Sequence, residues 1–506
     1  MLCLAAASLL CVSACLLALP PRTSGLLRVD VDVLVLLPRN NTHIFSASRI
    51  APALEYARRR LSAGPYAGVN FTLRYENSNC GMEALFALVD SARDERPDLV
   101  MGPVCEYAAA PVVRVASHWD IPVVSAGALA SGFSHKQPEY ALLTRIAPSY
   151  LKMGETFAAM FRHFGWQDAH LIYHDDKEER NCYFTTEGVH LLLDGDYETT
   201  AFALDPKEPL AHLDELFKIM LNHQVVIMCL HADAVREVML MAHRRGLTNS
   251  NRLFFNIELF NSSSYGDGSW RKGDKHDYEA KAAYAFLNTV TLMRSTKPEF
   301  EEFSVEMRKS QRKKGVDVCE GCNDVNVFME GFHDALLLYA IALEEAMKSG
   351  YTKKNGTEIS HRMWNRTFEG IAGQVSMDAN GDRNGDFSVM SMTNHETGTY
   401  ETVMNYYGTN ESIQILPGFN TERFFLRDAP RPSTPEPPKD SSGGLGLSAA
   451  TGIIVGGLLG TALLLAFYFF RKNYRITIER RTRREPCDGK HRQLREDSIR
   501  SNFSAA

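Results

Sequence analysis

Twenty-four residues, Leu447 to Phe470, carry no charged side chain and stop at Arg471-Lys472. A helix of that length crosses a hydrocarbon core of about 30 Å, so this run fixes the plan of the chain: a large N-terminal part, one membrane span at residues 447–470, and a short tail at 471–506. The tail holds eleven Lys/Arg against five Asp/Glu, whereas the approach from Ala429 carries only Arg431 and Lys439 against Glu436 and Asp440. That asymmetry places the tail in the cytosol. At the other end, apolar Met1 to Leu19 followed by Pro20-Pro21-Arg22-Thr23-Ser24-Gly25 reads as a secretory signal over residues 1–25. The expectation is a single-pass protein of the plasma membrane with its N-terminus outside.

Between these ends lie about four hundred residues, more than one hydrophobic core usually serves. A chain with 45% hydrophobic and 23% charged residues and a net charge of -6 is ordinary globular material with no nucleic-acid footprint. Six of the ten cysteines fall in the oxidising compartment. Six allow fifteen pairings, of which position along the chain favours Cys80 with Cys105 and Cys182 with Cys229. Cys319 and Cys322 remain for a local ring, a metal or a partner chain, with zinc the weakest reading for want of further ligands nearby. Asn40, Asn70, Asn261, Asn355, Asn365 and Asn410 each open an Asn-x-Ser/Thr glycan acceptor.

The hydrophobic pattern alternates strand and helix. Val29–Leu37, Val69–Tyr75, Asp98–Met101 and Ile121–Val124 read as strands, with helices predicted over Ser46–Leu61, Gly81–Ala92 and Ala108–Trp119 between and after the first three. The grammar restarts after Ser149, with strands at His170–Tyr173, Thr199–Leu204, Val225–Leu230 and Leu253–Ile257 and helices at Cys182–Leu193, Leu210–Asn222 and Ala232–Arg245. Such alternation specifies parallel sheets with helices on both faces. Further helices at Pro298–Lys314 and Val327–Met347 and a hairpin at Gly373–Thr393 imply that the chain crosses between two lobes more than once. The expected division of residues 26–425 is lobe 1 at 26–147 and 277–370, and lobe 2 at 148–276 and 371–425. A five-proline stalk follows within residues 426–446.

Catalytic signatures are missing: no Gly-x-Ser-x-Gly elbow, no His-Glu-x-x-His, no phosphate-binding Gly-Lys-Ser/Thr. Asp378-Ala-Asn-Gly-Asp382-Arg-Asn-Gly-Asp386 imitates a calcium loop, yet Arg383 stands where the sharp-turn glycine belongs, so Asn380-Gly381 is read as a turn. The run Arg308–Lys314, bracketed by Glu301, Glu302 and Glu306, reads as a solvated helix face. In the span, Gly452, Gly456 and Gly460 line one face and favour a dimer. The basic clusters Arg480–Arg484 and Lys490–Arg495 suit either anionic lipid or a protein partner.

Four stretches narrow the class. Gly102-Pro-Val-Cys-Glu-Tyr-Ala-Ala-Ala-Pro111, Phe255-Asn-Ile-Glu-Leu-Phe-Asn-Ser-Ser-Ser-Tyr-Gly-Asp-Gly-Ser-Trp270, Trp364-Asn-Arg-Thr-Phe-Glu-Gly-Ile-Ala-Gly373 and Arg475-Ile-Thr-Ile-Glu-Arg-Arg481 closely resemble the natriuretic peptide receptors. The tail ending in Arg495-Glu-Asp-Ser-Ile-Arg500 is similar to the short-tailed clearance type, which lacks the kinase-like and guanylyl cyclase domains. The resemblance implies a periplasmic-binding-protein-like (type I) α/β ectodomain in two lobes, a homodimer gripping one hormone, and peptide contacts at Tyr107, Arg114, Tyr140, Tyr173, Tyr183, Phe184 and Glu187. It also implies a chloride ion held by the Ser78 hydroxyl and the Val104-Cys105 backbone, and a tail that couples to an inhibitory G protein. One departure stands out: the stalk from Ala429 to Gly444 has no cysteine, which leaves Cys319 or Cys322 for any covalent bridge. The reading is a receptor without enzymatic output that clears natriuretic peptides by internalisation; the rival is a small-molecule receptor or co-receptor using the inter-lobe cleft.

Overall fold

The computed structural model describes residues 28–207, 212–248, 251–258, 260, 268–293, 297–314 and 325–426. Cys319, Cys322, Asn261, the span with its glycines and the tail lie outside them, as does the signal; among the described residues no helix is long and apolar enough to cross a membrane.

Two sheets of the same design form the body. In the first lobe, strands β1 (Val29–Leu37), β2 (Val69–Asn77), β3 (Leu99–Met101), β4 (Val123–Ser125) and β5 (Leu143–Pro148) run parallel in the order 2-1-3-4-5. Helices α1 (Ala47–Ala63), α2 (Glu83–Ser91) and α3 (Glu106–His118) connect them. In the second lobe, α4 (Tyr150–Phe164) leads into β6 (Asp168–His174), α5 (Asn181–Leu193), β7 (Glu198–Leu204), α6 (Leu213–Met220), β8 (Val225–Cys229), α7 (Ala232–Arg244), β9 (Leu253–Glu258), α8 (Asp277–Tyr284) and β10 (Leu287–Leu292). The parallel order 7-6-8-9-10 repeats that of the first sheet. The chain then returns to lobe 1 through α9 (Pro298–Lys313), α10 (Val327–Lys348), α11 (Gly356–Met363), β11 (Arg366–Glu369), β12 (Gln374–Met377) and β13 (Asp382–Arg383). It finishes on lobe 2 with β14 (Asp386–Asn394), β15 (Thr399–Tyr407) and β16 (Ser412–Ile415). The central strands are buried on both faces, which is why β1 and β8 are nearly unbroken apolar runs.

The lobe boundaries differ from those expected. Because α8 and β10 belong to the second sheet, the return crossing falls after Leu292 instead of near residue 277. The last crossing lies between Arg383 and Asp386 instead of near residue 371. The hairpin expected over Gly373–Thr393 is correspondingly split: β12 turns at Asn380-Gly381 into a two-residue β13, and the chain then leaves to pair β14 with β10. The imitation calcium loop is such a turn, with the Asp378 carboxylate accepting the N–H groups of Asn380 and Asp382, both at 2.9 Å.

Strands β5 and β10 escaped the periodicity for one reason. Each is a fifth parallel strand that buries polar side chains, and each is satisfied by the returning chain beside it, β13 parallel to β5 and β14 antiparallel to β10. Arg145 in β5 is fully buried, yet its guanidinium donates to Asp382 Oδ1 and Oδ2 at 2.7 and 2.6 Å, to the Ala128 and Ala130 carbonyls at 3.1 and 2.9 Å, and to Ser134 Oγ at 2.8 Å. Lys136 Nζ adds a 2.6 Å bond to Asp382. Burial alone would raise the Asp382 pKa, but the Arg145 and Lys136 charges outweigh it and hold it below the ordinary range. Burial and the neighbouring Arg145 push Lys136 down to about 8. In β10, Asn288 Oδ1 accepts from Ser391 at 2.5 Å and from Arg423 at 2.6 Å.

Removing one member of a buried charge cluster leaves the others uncompensated. Asp382→Asn is expected to destabilise the protein by about 3–5 kcal/mol, while the double change Asp382→Leu with Arg145→Met costs less than Asp382→Asn alone, measured by thermal unfolding. A double variant that is the less stable of the two would show that the cluster does more than compensate its own burial.

Candidate functional site

Two disulfides prepare two helix starts. Cys80–Cys105 ties the end of β2 to the first turn of α3, and Cys182–Cys229 ties the first turn of α5 to the end of β8, with Cα atoms 5.2 and 5.3 Å apart. The aromatic residues of interest follow each cysteine: Tyr107 in lobe 1, Tyr183 and Phe184 in lobe 2. Their rings form a ladder across the lobe seam, with Tyr107 6.0 Å from Phe184, Phe184 5.2 Å from Tyr183, and Tyr183 5.8 Å from Tyr173. Tyr107 is 51% exposed, Phe184 and Glu187 are half-buried, and Tyr173 and Tyr183 are each only 8% exposed. The outer members offer contact area; Tyr173 and Tyr183 form the bed beneath them. The helix that carries Phe184 and Glu187 is held at close range to α4, since a Cβ on Gly154 would stand 2.4 Å from the Gly188 carbonyl oxygen and one on Gly188 2.6 Å from that of Tyr150.

Sequence reasoning missed the charged half of this seam. Arg180 lies 3.8 Å over the Tyr183 ring, donates to Tyr107 Oη at 3.4 Å across the lobes, and grips Asp175 through two 2.9 Å bonds. Burial works to raise the Asp175 pKa, but hydrogen bonds from Arg180 and Lys177 bring it down to about 2. Arg180 has a left-handed φ of 55°, and its bonds to Asp175 and Tyr107 hold the residue there. The signal was present in the acidic and basic run His174–Arg180 just before Cys182. Glu187 accepts from Ser131 Oγ at 3.1 Å, and His43 meets Glu179 at 2.5 Å, two further links between lobes. Cys80 lies within reach of His43 and Glu179 but is committed to its disulfide, so these three are not a metal centre.

Arg114 and Tyr140 form a separate patch on lobe 1. The Arg114 guanidinium sits 5.0 Å over the Tyr140 ring and bonds Glu139 at 2.6 Å. Seven residues separate Arg114 from Tyr107 on α3, so both project from one side of the helix about 10 Å apart. At the residues of the expected anion cradle, Ser78 is fully buried, its Oγ has no hydrogen-bond partner, and the N–H groups of Val104 and Cys105 donate to no described residue. A chloride ion fits that set of donors. Of the glycan acceptors, Asn40, Asn355, Asn365 and Asn410 are exposed, while Asn70 is half-buried with its Nδ2 bonded to Asp30 at 2.8 Å.

Two parallel α/β lobes crossed three times, with an aromatic seam between them, are the architecture of a receptor ligand-binding region, and the family model described as "Receptor family ligand binding region" matches residues 49–395. The chain belongs to the natriuretic peptide receptor family. It is 54% identical to atrial natriuretic peptide receptor 3 of Homo sapiens and 53% identical to that of Bos taurus, each match covering 97% of this chain and 92% of the relative. Atrial natriuretic peptide receptor 2 of Homo sapiens is 31% identical over 76% of this chain but 38% of its own length.

Glu106, beside Tyr107, is buried with one carboxylate oxygen bonded to the Leu129 N–H at 3.0 Å and the other unpartnered; burial raises its pKa to about 7. A raised acid contributes stability that is complete below the unfolded value near 4.5 and lost as pH rises through 7. Glu106→Gln keeps the acceptor and removes the charge. It is expected to raise stability at pH 8 by up to about 3 kcal/mol and to make little difference at pH 4.5, read from melting curves across that range; equal effects at both ends would refute the assignment.

Proposed function

We propose that this chain is a cell-surface receptor that binds natriuretic peptides and removes them by internalisation, with no enzymatic output of its own. The observation that carries the reading is the seam where Tyr107, Phe184 and Glu187 meet at the starts of two disulfide-tied helices, within a chain related along nearly its whole length to proteins named as natriuretic peptide receptors. Exposed aromatic anchors beside a carboxylate suit an arginine-rich peptide. Binding as a homodimer is supported by α2, where Met82, Phe86 and Val89 are 50%, 59% and 48% exposed at helical spacing and form one apolar stripe. The small-molecule alternative finds little room at Glu106, Asn181 and Phe328 or at Leu129, Met153 and Phe387, where the spaces hold about 10 and 20 Å³, far below ordinary ligand sites; its candidate is a space of about 340 Å³ beside the crossings, lined by Leu292, Lys297, Arg383 and Asp386 among others.

Tyr107→Ala or Phe184→Ala is expected to weaken peptide binding by about 2 kcal/mol, roughly thirtyfold, while the receptor still reaches the cell surface. Chloride at the Ser78 cradle supports the first turn of α3; replacing chloride with a larger anion should therefore lower hormone affinity in the unchanged receptor but not in Ser78→Ala. Undiminished binding by both aromatic variants would move the hormone site elsewhere.

The span at residues 447–470 anchors this receptor in the plasma membrane, and the tail couples it to an inhibitory G protein, which the clusters Arg480–Arg484 and Lys490–Arg495 support. Lipid attraction follows total charge, whereas a protein contact needs side chains in register. Shuffling residues 490–495 should abolish hormone-dependent inhibition of adenylyl cyclase and leave surface binding intact; a shuffled tail that still inhibits would leave the clusters as lipid contacts.

A further inference from the structure

Lobe 1 contains a hollow of about 780 Å³ lined by α1, α10 and the β11–β12 turn, apart from the seam and from the apolar stripe of α2. Its walls are largely apolar: Ala57, Leu61, Pro65, Tyr66, Leu337 and Ile371. Native interiors rarely keep voids larger than a water, because unfilled apolar walls forfeit dispersion contacts. A half-open chamber of this size matches pockets that hold drug-sized molecules.

One polar group is built into it. His333 lines the chamber while only 5% exposed, its ring fixed 5.5 Å from Phe303 and 5.9 Å from Tyr56. Its Nδ1 bonds Asp334 Oδ1 at 2.8 Å, and with the carboxylate accepting, Nδ1 is the donor and Nε2 is the ring nitrogen left for a ligand. Asp334 is 1% exposed and takes the Ile371 N–H at 2.8 Å, which fixes the turn behind the chamber. That turn lies so close that a Cβ on Gly370 would stand 2.3 Å from Asp334 Oδ2. His333 and Asp334 thus set one buried imidazole among the apolar side chains of the wall, with the other charged groups, Arg60, Lys297, Glu299 and Glu369, also in the lining. At the mouth, Lys297 and Glu369 form an ion pair, and Arg60 leans over the Tyr56 ring at 5.8 Å.

We propose that this chamber is a second ligand site, separate from the hormone face, for a rigid apolar alcohol or phenol of about steroid size that enters from the aqueous phase and donates its hydroxyl to His333 Nε2. The rings fill the space between α1 and α10, and the hydroxyl answers the buried imidazole in the wall. Mouth charges are balanced between Arg60, Glu299 and the Lys297–Glu369 pair, which suits a neutral ligand over an ion. Lys297 begins the segment that returns from lobe 2, so an occupant rests against one of the three inter-lobe crossings.

The test uses the full-length receptor in lipid nanodiscs and a phenolic steroid bearing a diazirine, photolysed and mapped by peptide mass spectrometry. Adducts are expected on residues 57–66, 333–337 and 369–371, competed by excess unmodified steroid. Leu337→Trp, which fills the chamber, and Arg60→Trp, which covers its mouth from an exposed position, should each reduce labelling of those peptides by about tenfold while hormone binding persists, and the O-methylated probe should label about tenfold less. Adducts absent from these peptides, or equal in the unchanged receptor and in Arg60→Trp, would overturn the site; equal labelling by the methyl ether would overturn the role of His333. Loss of hormone binding with labelling retained would count against the hormone reading alone.

Discussion

The structure depends most on a carboxylate that the chain supplies late. Asp382 arrives from the third passage through the lobes and neutralises Arg145, a guanidinium buried in the fifth strand of a sheet laid down more than two hundred residues earlier. Arg145 in turn binds the carbonyls of Ala128 and Ala130, so the charge pair also sets the loop between β4 and β5. That loop is where the lobes communicate: Leu129 bonds Glu106 on α3 and receives the Tyr150 N–H from α4, and Ser131 reaches Glu187 on α5. An ion pair at the crossing therefore positions the recognition seam through a short series of direct hydrogen bonds. Without Asp382 the buried cation would have no counter-charge, and burying it would be prohibitive.

The second lobe solves the same problem with neutral groups and one arginine. Asn288 takes Arg145's place in the fifth strand, and Ser391 and Arg423 close the network. Trp166 completes the closure by donating to the Phe424 carbonyl at 2.7 Å within a cluster that includes Phe161, Phe164 and Phe255. The last described turn is docked on lobe 2 by this packing. Both lobes thus end on a returning strand that pins the polar residues of the fifth parallel strand, β13 beside β5 and β14 beside β10.

The recognition face divides into contact and support. Tyr107, Phe184 and Glu187 can meet a partner, whereas Tyr173 and Tyr183 lie under them and Arg180 binds both layers. The disulfides hold the two helix starts that present these residues, and the Gly154–Gly188 approach fixes α5 against α4. A rigid platform lets aromatic anchors bind with little ordering cost. Arg114 and Tyr140 sit apart on the lobe 1 side and extend the face along α3.

Strand-helix alternation, the restart after Ser149 and the even set of cysteines were legible in the sequence, because apolar periodicity reports burial locally and a disulfide needs only neighbouring ends. The resemblance rested on contiguous words such as Gly102–Pro111, which also marked the helix start that bears Tyr107. Strands β5 and β10 were not legible, since Arg145, Asn288 and Thr291 interrupt the apolar pattern and their burial makes sense only beside Asp382, Ser391 and Arg423. The crossings were misplaced for the same reason: to which sheet a strand such as β10 or β14 belongs depends on pairing partners a hundred residues away. Likewise the sequence offered Tyr173, Tyr183 and Phe184 as equals, and the cross-lobe packing alone decided which are exposed. The sequence determined the units and their order; long-range pairing of buried polar groups decided how they close and which side chains reach the surface.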